Sequence, residues 1–167
     1  MRAITGAMIA ALLLIPVVGT ASQSPVALEY PEHILLGPTE QKPVQIEVKV
    51  LKGFHLQANP ASRENLIPTE LILDPSPQLQ FSTPNYPKGT PFRFSPVGNE
   101  ILTYSGSFQI GVQISRLPAT AKTATSPAQN PTLKTMLVKG KLRYQACDEK
   151  TCLRPSALPF EFWVENP

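Results

Sequence analysis

Prolines recur so often that nearly every stretch long enough to wind into a helix is interrupted. There are 19 in 167 residues. Each removes a backbone N–H and clashes with the preceding turn of a helix. Beyond the first twenty or so residues no helical periodicity survives. What remains is extended chain joined by irregular connections, the composition of an all-β domain.

Period-2 alternation marks where the strands should lie. In "VQIEVKVL" (Val44 to Leu51), Val44, Ile46, Val48 and Val50 point one way and Gln45, Glu47 and Lys49 the other. "SFQIGVQIS" (Ser107 to Ser115) alternates through Phe108, Ile110, Val112 and Ile114. "TMLVKGKLRYQA" (Thr135 to Ala146) puts Met136, Val138, Leu142 and Tyr144 on one face, with Gly140 interrupting it as a bulge or a close approach. "LPFEFWVE" (Leu158 to Glu165) turns Leu158, Phe160, Phe162 and Val164 inward and Glu161 and Trp163 outward. "TELILD" (Thr69 to Asp74) is a shorter strand, and "VALEY" and "NEILTYSG" are weaker ones. Seven to nine half-buried strands bury their apolar faces most simply as two packed sheets. The expected fold is an immunoglobulin-like β-sandwich, with a jelly roll or small barrel as the alternative. The long-range Cys…Trp…Cys pattern of antibody domains is absent, so only the architecture is implied.

The first 21 residues have the form of a signal peptide. Arg2 is followed by the apolar run Gly6 to Val18 and the small residues Gly19 to Ala21. The run is short for a membrane span, so the expected product is a single domain, 22–167, exported to the periplasm or secreted. A disulfide persists in such a compartment. "LPATAKTATSPAQNPT" (Leu117 to Thr132) is a low-complexity break, read as a long exposed loop within the domain. Without Arg2, 14 Lys and Arg face 12 Asp and Glu, a net charge of +2. That is too weak and scattered for a nucleic-acid partner.

The two cysteines, Cys147 and Cys152, both lie in "LRYQACDEKTCLRP". Cys147 ends a strand and Cys152 precedes the last one, so they should face each other across a short hairpin. Facing residues in an antiparallel pair have Cα atoms about 4.5–5.5 Å apart, within disulfide range. A bond closing so small a loop stabilises by only about 2 kcal/mol in the chain-entropy picture. That spacing suits a dithiol that opens and closes without unfolding the domain. A plain structural bridge stays open as the other reading. Zinc would need more ligands than this pair supplies. His33 and His55, remote in sequence, read as loop or edge residues, and three methionines make no better case for copper. No hydrolytic constellation, phosphate loop or metal motif stands out.

The segment Tyr144, Gln145, Ala146, Cys147 … Cys152 … Pro155 resembles the redox-active segment of the N-terminal periplasmic domain of the thiol:disulfide interchange protein DsbD family. "GFHLQANP" (Gly53 to Pro60), "LIPTELIL" (Leu66 to Leu73) and "YSGSFQIGVQI" (Tyr104 to Ile114) resemble it in the same order, so the likeness runs from about Val26 to Val164. It implies an immunoglobulin-like fold and a cofactor-free relay of reducing equivalents. The donor would be a thioredoxin-like protein or a membrane electron carrier. The acceptors would be oxidised periplasmic proteins, including cytochrome c maturation factors. Cys152 would attack and Cys147 resolve. Arg143, Lys150 and Arg154 would favour a thiolate and Asp148 and Glu149 oppose it, unless these charges form an ordinary solvated turn. The family's cysteines lie under a cap loop. Here Thr90 to Glu100 offers Phe92 and Phe94 for that place, or as core residues of a short strand, without the acidic pattern. The Leu117 to Thr132 loop is longer than usual for the family. No transmembrane or thioredoxin-like segment accompanies the domain within these residues, which would put the donor on a separate protein. The competing expectation is a non-catalytic binding module braced by its hairpin disulfide, with Trp163 and Tyr104 as contact residues.

Overall fold

The computed structural model describes residues 24–94, 98–117 and 135–167. The expected signal segment 1–21 and nearly all of the low-complexity loop fall outside the described residues. Every regular element among the described residues is a strand. They are β1 (Val26–Glu29), β2 (His33–Leu35), β3 (Gln41–Val50), β4 (His55–Gln57), β5 (Glu70–Leu73), β6 (Leu79–Phe81), β7 (Thr90–Phe94), β8 (Asn99–Tyr104), β9 (Ser107–Arg116), β10 (Thr135–Tyr144), β11 (Ala146–Cys147) and β12 (Ser156–Glu165).

Four ten-residue strands make the scaffold. β3 pairs with β9, and β10 with β12, both antiparallel. β1 and β6 complete the first sheet in the order β1-β3-β9-β6. β2 and β5 complete the second as β2-β12-β10-β5, with β2 lying parallel to β12. Alternation becomes burial directly. Every even-numbered residue of β10, from Met136 to Tyr144, is buried and every odd one exposed. The inward residues of both sheets, among them Ile46, Val48, Ile110, Ile114, Val138, Leu142, Phe162 and Val164, share one apolar core. The fold is an immunoglobulin-like β-sandwich.

A third sheet runs in the order β11-β4-β8-β7. It accounts for the main departure from expectation. The strand read as Thr135 to Ala146 ends at Tyr144, and after Gln145 the chain pairs Ala146 and Cys147 with β4. One nearly continuous run thus serves two sheets. The short strands β2, β4 and β6 have three residues each, too few to display an alternation, so the described residues hold twelve strands where seven to nine were expected.

Gly140 marks a close approach and not a bulge. The β10–β12 register runs unbroken through Gly140↔Phe160. A Cβ there would sit 2.7 Å from both the Ile72 carbonyl oxygen and Phe160 Cζ. Tyr104, expected as a contact residue, is buried. It is 4% exposed, and its hydroxyl donates to the Pro87 carbonyl and accepts from the Asn59 N–H, both at 3.0 Å. It is a buried strut and no contact residue. Trp163 is exposed as expected, facing Leu137 across the outer surface of β10 and β12.

Candidate functional site

The third sheet has two unlike faces. In an antiparallel pair, opposed residues share a face, and so do residues two apart on one strand. Leu56, Tyr104 and Ala146 are opposed in turn and join the main core. On the other face, Cys147 stands opposite His55, Gln57 opposite Thr103, and Phe92 opposite Ile101. A second, separate apolar cluster forms there, with Phe94, Ile101 and Cys147 buried and Leu66, Phe92 and Cys152 packed against them.

Cys147 and Cys152 are joined by a disulfide and form an antiparallel bridge. Their Cα atoms are 3.9 Å apart, closer than the spacing expected of facing residues. The two sulfurs belong to unequal residues. Cys147 is 1% exposed, while Cys152 is half-buried at the rim. The hairpin between them is held independently of the bond. Leu153 N–H donates to the Ala146 carbonyl at 2.8 Å, and Asp148 N–H to the Thr151 carbonyl at 2.9 Å. Asp148 Oδ1 accepts from the Lys150 and Thr151 N–H groups, each at 2.7 Å. These bonds hold the Asp148 carboxyl below its ordinary pKa. Gln145 Nε2 donates to the Leu153 carbonyl at 3.0 Å, tying the strand before Cys147 to the chain after Cys152.

The residues picked out in the sequence separate accordingly. Phe92 and Phe94 pack in the cluster with the cysteines as members of the short strand β7. Gln145 belongs to the hairpin. Tyr144 does not reach the cysteine cluster, because its side chain faces the main core. Pro155 is exposed, one residue before β12. Of the cations named as thiolate partners, Arg143 is engaged elsewhere, with Glu70 at 2.7 Å on the second sheet. Lys150 and Arg154 are exposed.

His55, expected in a loop or at an edge, lies instead on β4, an inner strand of the third sheet between β11 and β8. It lies 92 positions before Cys147, in a strand too short to read, yet the register sets it directly across from that cysteine. Its ring stacks on Phe92, with centroids 3.7 Å apart and planes 22° from parallel. Desolvation lowers its pKa, and the Glu149 carboxylate partly opposes this. Three buried side-chain atoms have no hydrogen-bond partner among the described residues: His55 Nδ1, Gln57 Oε1 and Thr103 Oγ1. All three side chains belong to the face that carries Cys147. The other histidine, His33, pairs with Glu165 on the edge strand β2, at 2.7 Å. Among the described residues no group of three His, Cys, Asp or Glu side chains gathers to hold a metal, and no helix is long and apolar enough to cross a membrane.

No protein-family profile matches the sequence, and no curated protein matches it. Among solved structures, the chain is similar to the N-terminal periplasmic domain of ScsB from Proteus mirabilis. The TM-score is 0.52 at 12% identity, over 82% of this chain and 44% of that one. AvmM, which catalyses macrocyclisation in alchivemycin A biosynthesis, matches at a TM-score of 0.26 and 11% identity, over 87% of this chain and 92% of that one. The chain therefore spans less than half of the ScsB domain structure. At 12% identity the shared feature is the fold alone.

Proposed function

We propose that the chain is a periplasmic thiol–disulfide exchange module. It passes reducing equivalents between a thioredoxin-like donor, or a membrane electron carrier, and oxidised periplasmic proteins. The observation that carries this reading is the unequal burial of the two cysteines within one self-supporting hairpin. The resemblance of the cysteine segment to the DsbD family supports it. So does the likeness in fold to a periplasmic domain.

The chemistry follows from that asymmetry. A partner thiolate attacks Cys152 Sγ, the sulfur at the rim. The Cys147–Cys152 bond breaks and its electron pair leaves on Cys147 Sγ, giving a mixed disulfide through Cys152. A second partner thiolate then attacks the partner's own sulfur in that bond and releases the reduced domain. Passing the two electrons on reverses the order. Cys152 attacks an acceptor disulfide, and Cys147 attacks Cys152 to close the bridge again. Phe92 and Phe94 shield Cys147, so small oxidants meet Cys152 first.

The test is the reduction potential of the pair, by equilibration in thiol buffers with alkylation and mass readout, joined to two variants. A potential between about −120 and −270 mV matches known exchangers. Cys147→Ser should trap a thioredoxin-like protein as a stable mixed disulfide, and Cys152→Ser should trap none. A potential below about −300 mV marks a structural bridge and would leave the domain as a braced binding module.

A further inference from the structure

When Cys147 closes the bridge it must first lose its proton, and its surroundings make that hard. Phe94 and Ile101 are buried beside it, Leu66 and Phe92 pack against them, and the residue is 1% exposed. Burial in apolar surroundings disfavours a thiolate. Water has little access to carry the proton away.

We propose that His55 is the proton acceptor for Cys147 in this closing step. It rests on the exchange reading above. Three observations meet on this residue. The β4–β11 register sets His55 directly opposite Cys147 on the same face, where opposed Cβ atoms are about 4.5–5.5 Å apart. Phe92 stacks on the imidazole and also packs in the cysteine cluster, so one side chain holds the ring beside the sulfur. Nδ1 is buried with no partner among the described residues, which leaves a lone pair or an N–H uncommitted. The charged groups around the ring are few. Glu149, Asp148 and Lys150 lie in the hairpin loop. Arg93 and Glu100, opposed on β7 and β8, lie on the far face of the sheet. Glu64 and Arg63 lie in the segment before Leu66. Desolvation favours the neutral ring, the form that accepts a proton.

The step balances without an added reagent. Cys147 S–H gives its proton to the imidazole as its sulfur attacks Cys152 Sγ. The Cys147–Cys152 bond forms, the bond from Cys152 to the partner sulfur breaks, and the partner leaves as a thiolate. In the opposite direction the imidazolium returns the proton to the departing Cys147 sulfur.

The experiment uses the reduced full chain and an aromatic disulfide that releases coloured 5-thio-2-nitrobenzoate. Attack by Cys152 releases one equivalent. Closure by Cys147 releases the second and is read as a separate phase across pH. His55→Gln is expected to slow the second phase about 100-fold near neutral pH, to leave the first phase within twofold, and to remove the histidine inflection. The deficit should narrow at alkaline pH, where Cys147 ionises unaided. His55→Phe keeps the stack on Phe92 and should give the same loss if the glutamine variant folds poorly. Glu149→Gln should move the inflection to lower pH. An unchanged second phase with an unchanged pH profile in a folded variant overturns the role of His55. A wild-type protein that releases no second equivalent overturns the exchange reading itself, so the two failures are distinguishable.

Discussion

The two-sheet core and the small cysteine sheet are built on opposite principles. Ile46, Val48, Leu142, Phe162 and Val164 fill the first with apolar atoms, all essentially inaccessible, on long strands whose alternation leaves few choices of register. The second cluster is much smaller. It sets Phe94 and Ile101 beside a disulfide, a histidine of lowered pKa and polar atoms of Gln57 and Thr103 that have no partner among the described residues. A buried polar atom without a partner costs about 1–3 kcal/mol. The small sheet tolerates this because its other face, through Leu56, Tyr104 and Ala146, is anchored in the large core. Stability is concentrated in one region, and the groups on which the proposed exchange rests lie in the other.

The sharpest way to break that division is to damage the scaffold and read the site. Phe162→Ala removes a ring that is 1% exposed at the centre of the large core. It should cost about 3–5 kcal/mol in denaturant unfolding and leave the reduction potential of the cysteine pair unmoved. A shifted potential would mean that the two regions are coupled. Gly140→Ala attacks the scaffold by crowding instead. Its Cβ would meet the Ile72 carbonyl and Phe160, with an expected loss of about 1–3 kcal/mol, again without effect on exchange.

The converse removes the chemistry and reads the scaffold. Replacing both cysteines by alanine should abolish exchange but cost about 2 kcal/mol or less, because the hairpin keeps its own backbone bonds at Leu153 and Asp148. A loss well above that in a thermal or denaturant melt would make the bridge a structural brace. It would favour the binding-module reading.

The sequence made these two regions unequally legible. β3, β9, β10 and β12 were readable because ten residues of alternation identify both the strand and its buried face. The cysteine hairpin was readable because its two ends are five positions apart. What surrounds it was not. Three-residue strands such as β4 carry no periodic signal, and the pairing of His55 with Cys147 is a long-range consequence of how the third sheet assembles. The switch of sheet after Tyr144 was hidden too, because the apolar alternation simply stops at Gln145 and says nothing of where the chain goes next. The direction of Arg143 was hidden for a related reason. Arg143 sits beside the cysteines in sequence, but its strand position points it at Glu70.

The smallest expected effect tests whether the hairpin stands by itself. Asp148 accepts the Lys150 and Thr151 N–H groups, and these bonds hold its carboxyl below the usual 3.8. A group with a depressed folded pKa stabilises fully above its unfolded value and loses that contribution as pH falls through the folded one. Asp148→Ala should therefore lower stability modestly at neutral pH, and the gap to wild type should close as the pH is taken below about 4. Only the cysteine sheet should respond, which hydrogen exchange at Lys150 and Thr151 would read directly. If the gap stays constant with pH, the carboxylate is not what organises the turn. The backbone bonds at Leu153 and Asp148 and the Gln145 side chain would then hold the hairpin without the carboxylate's help.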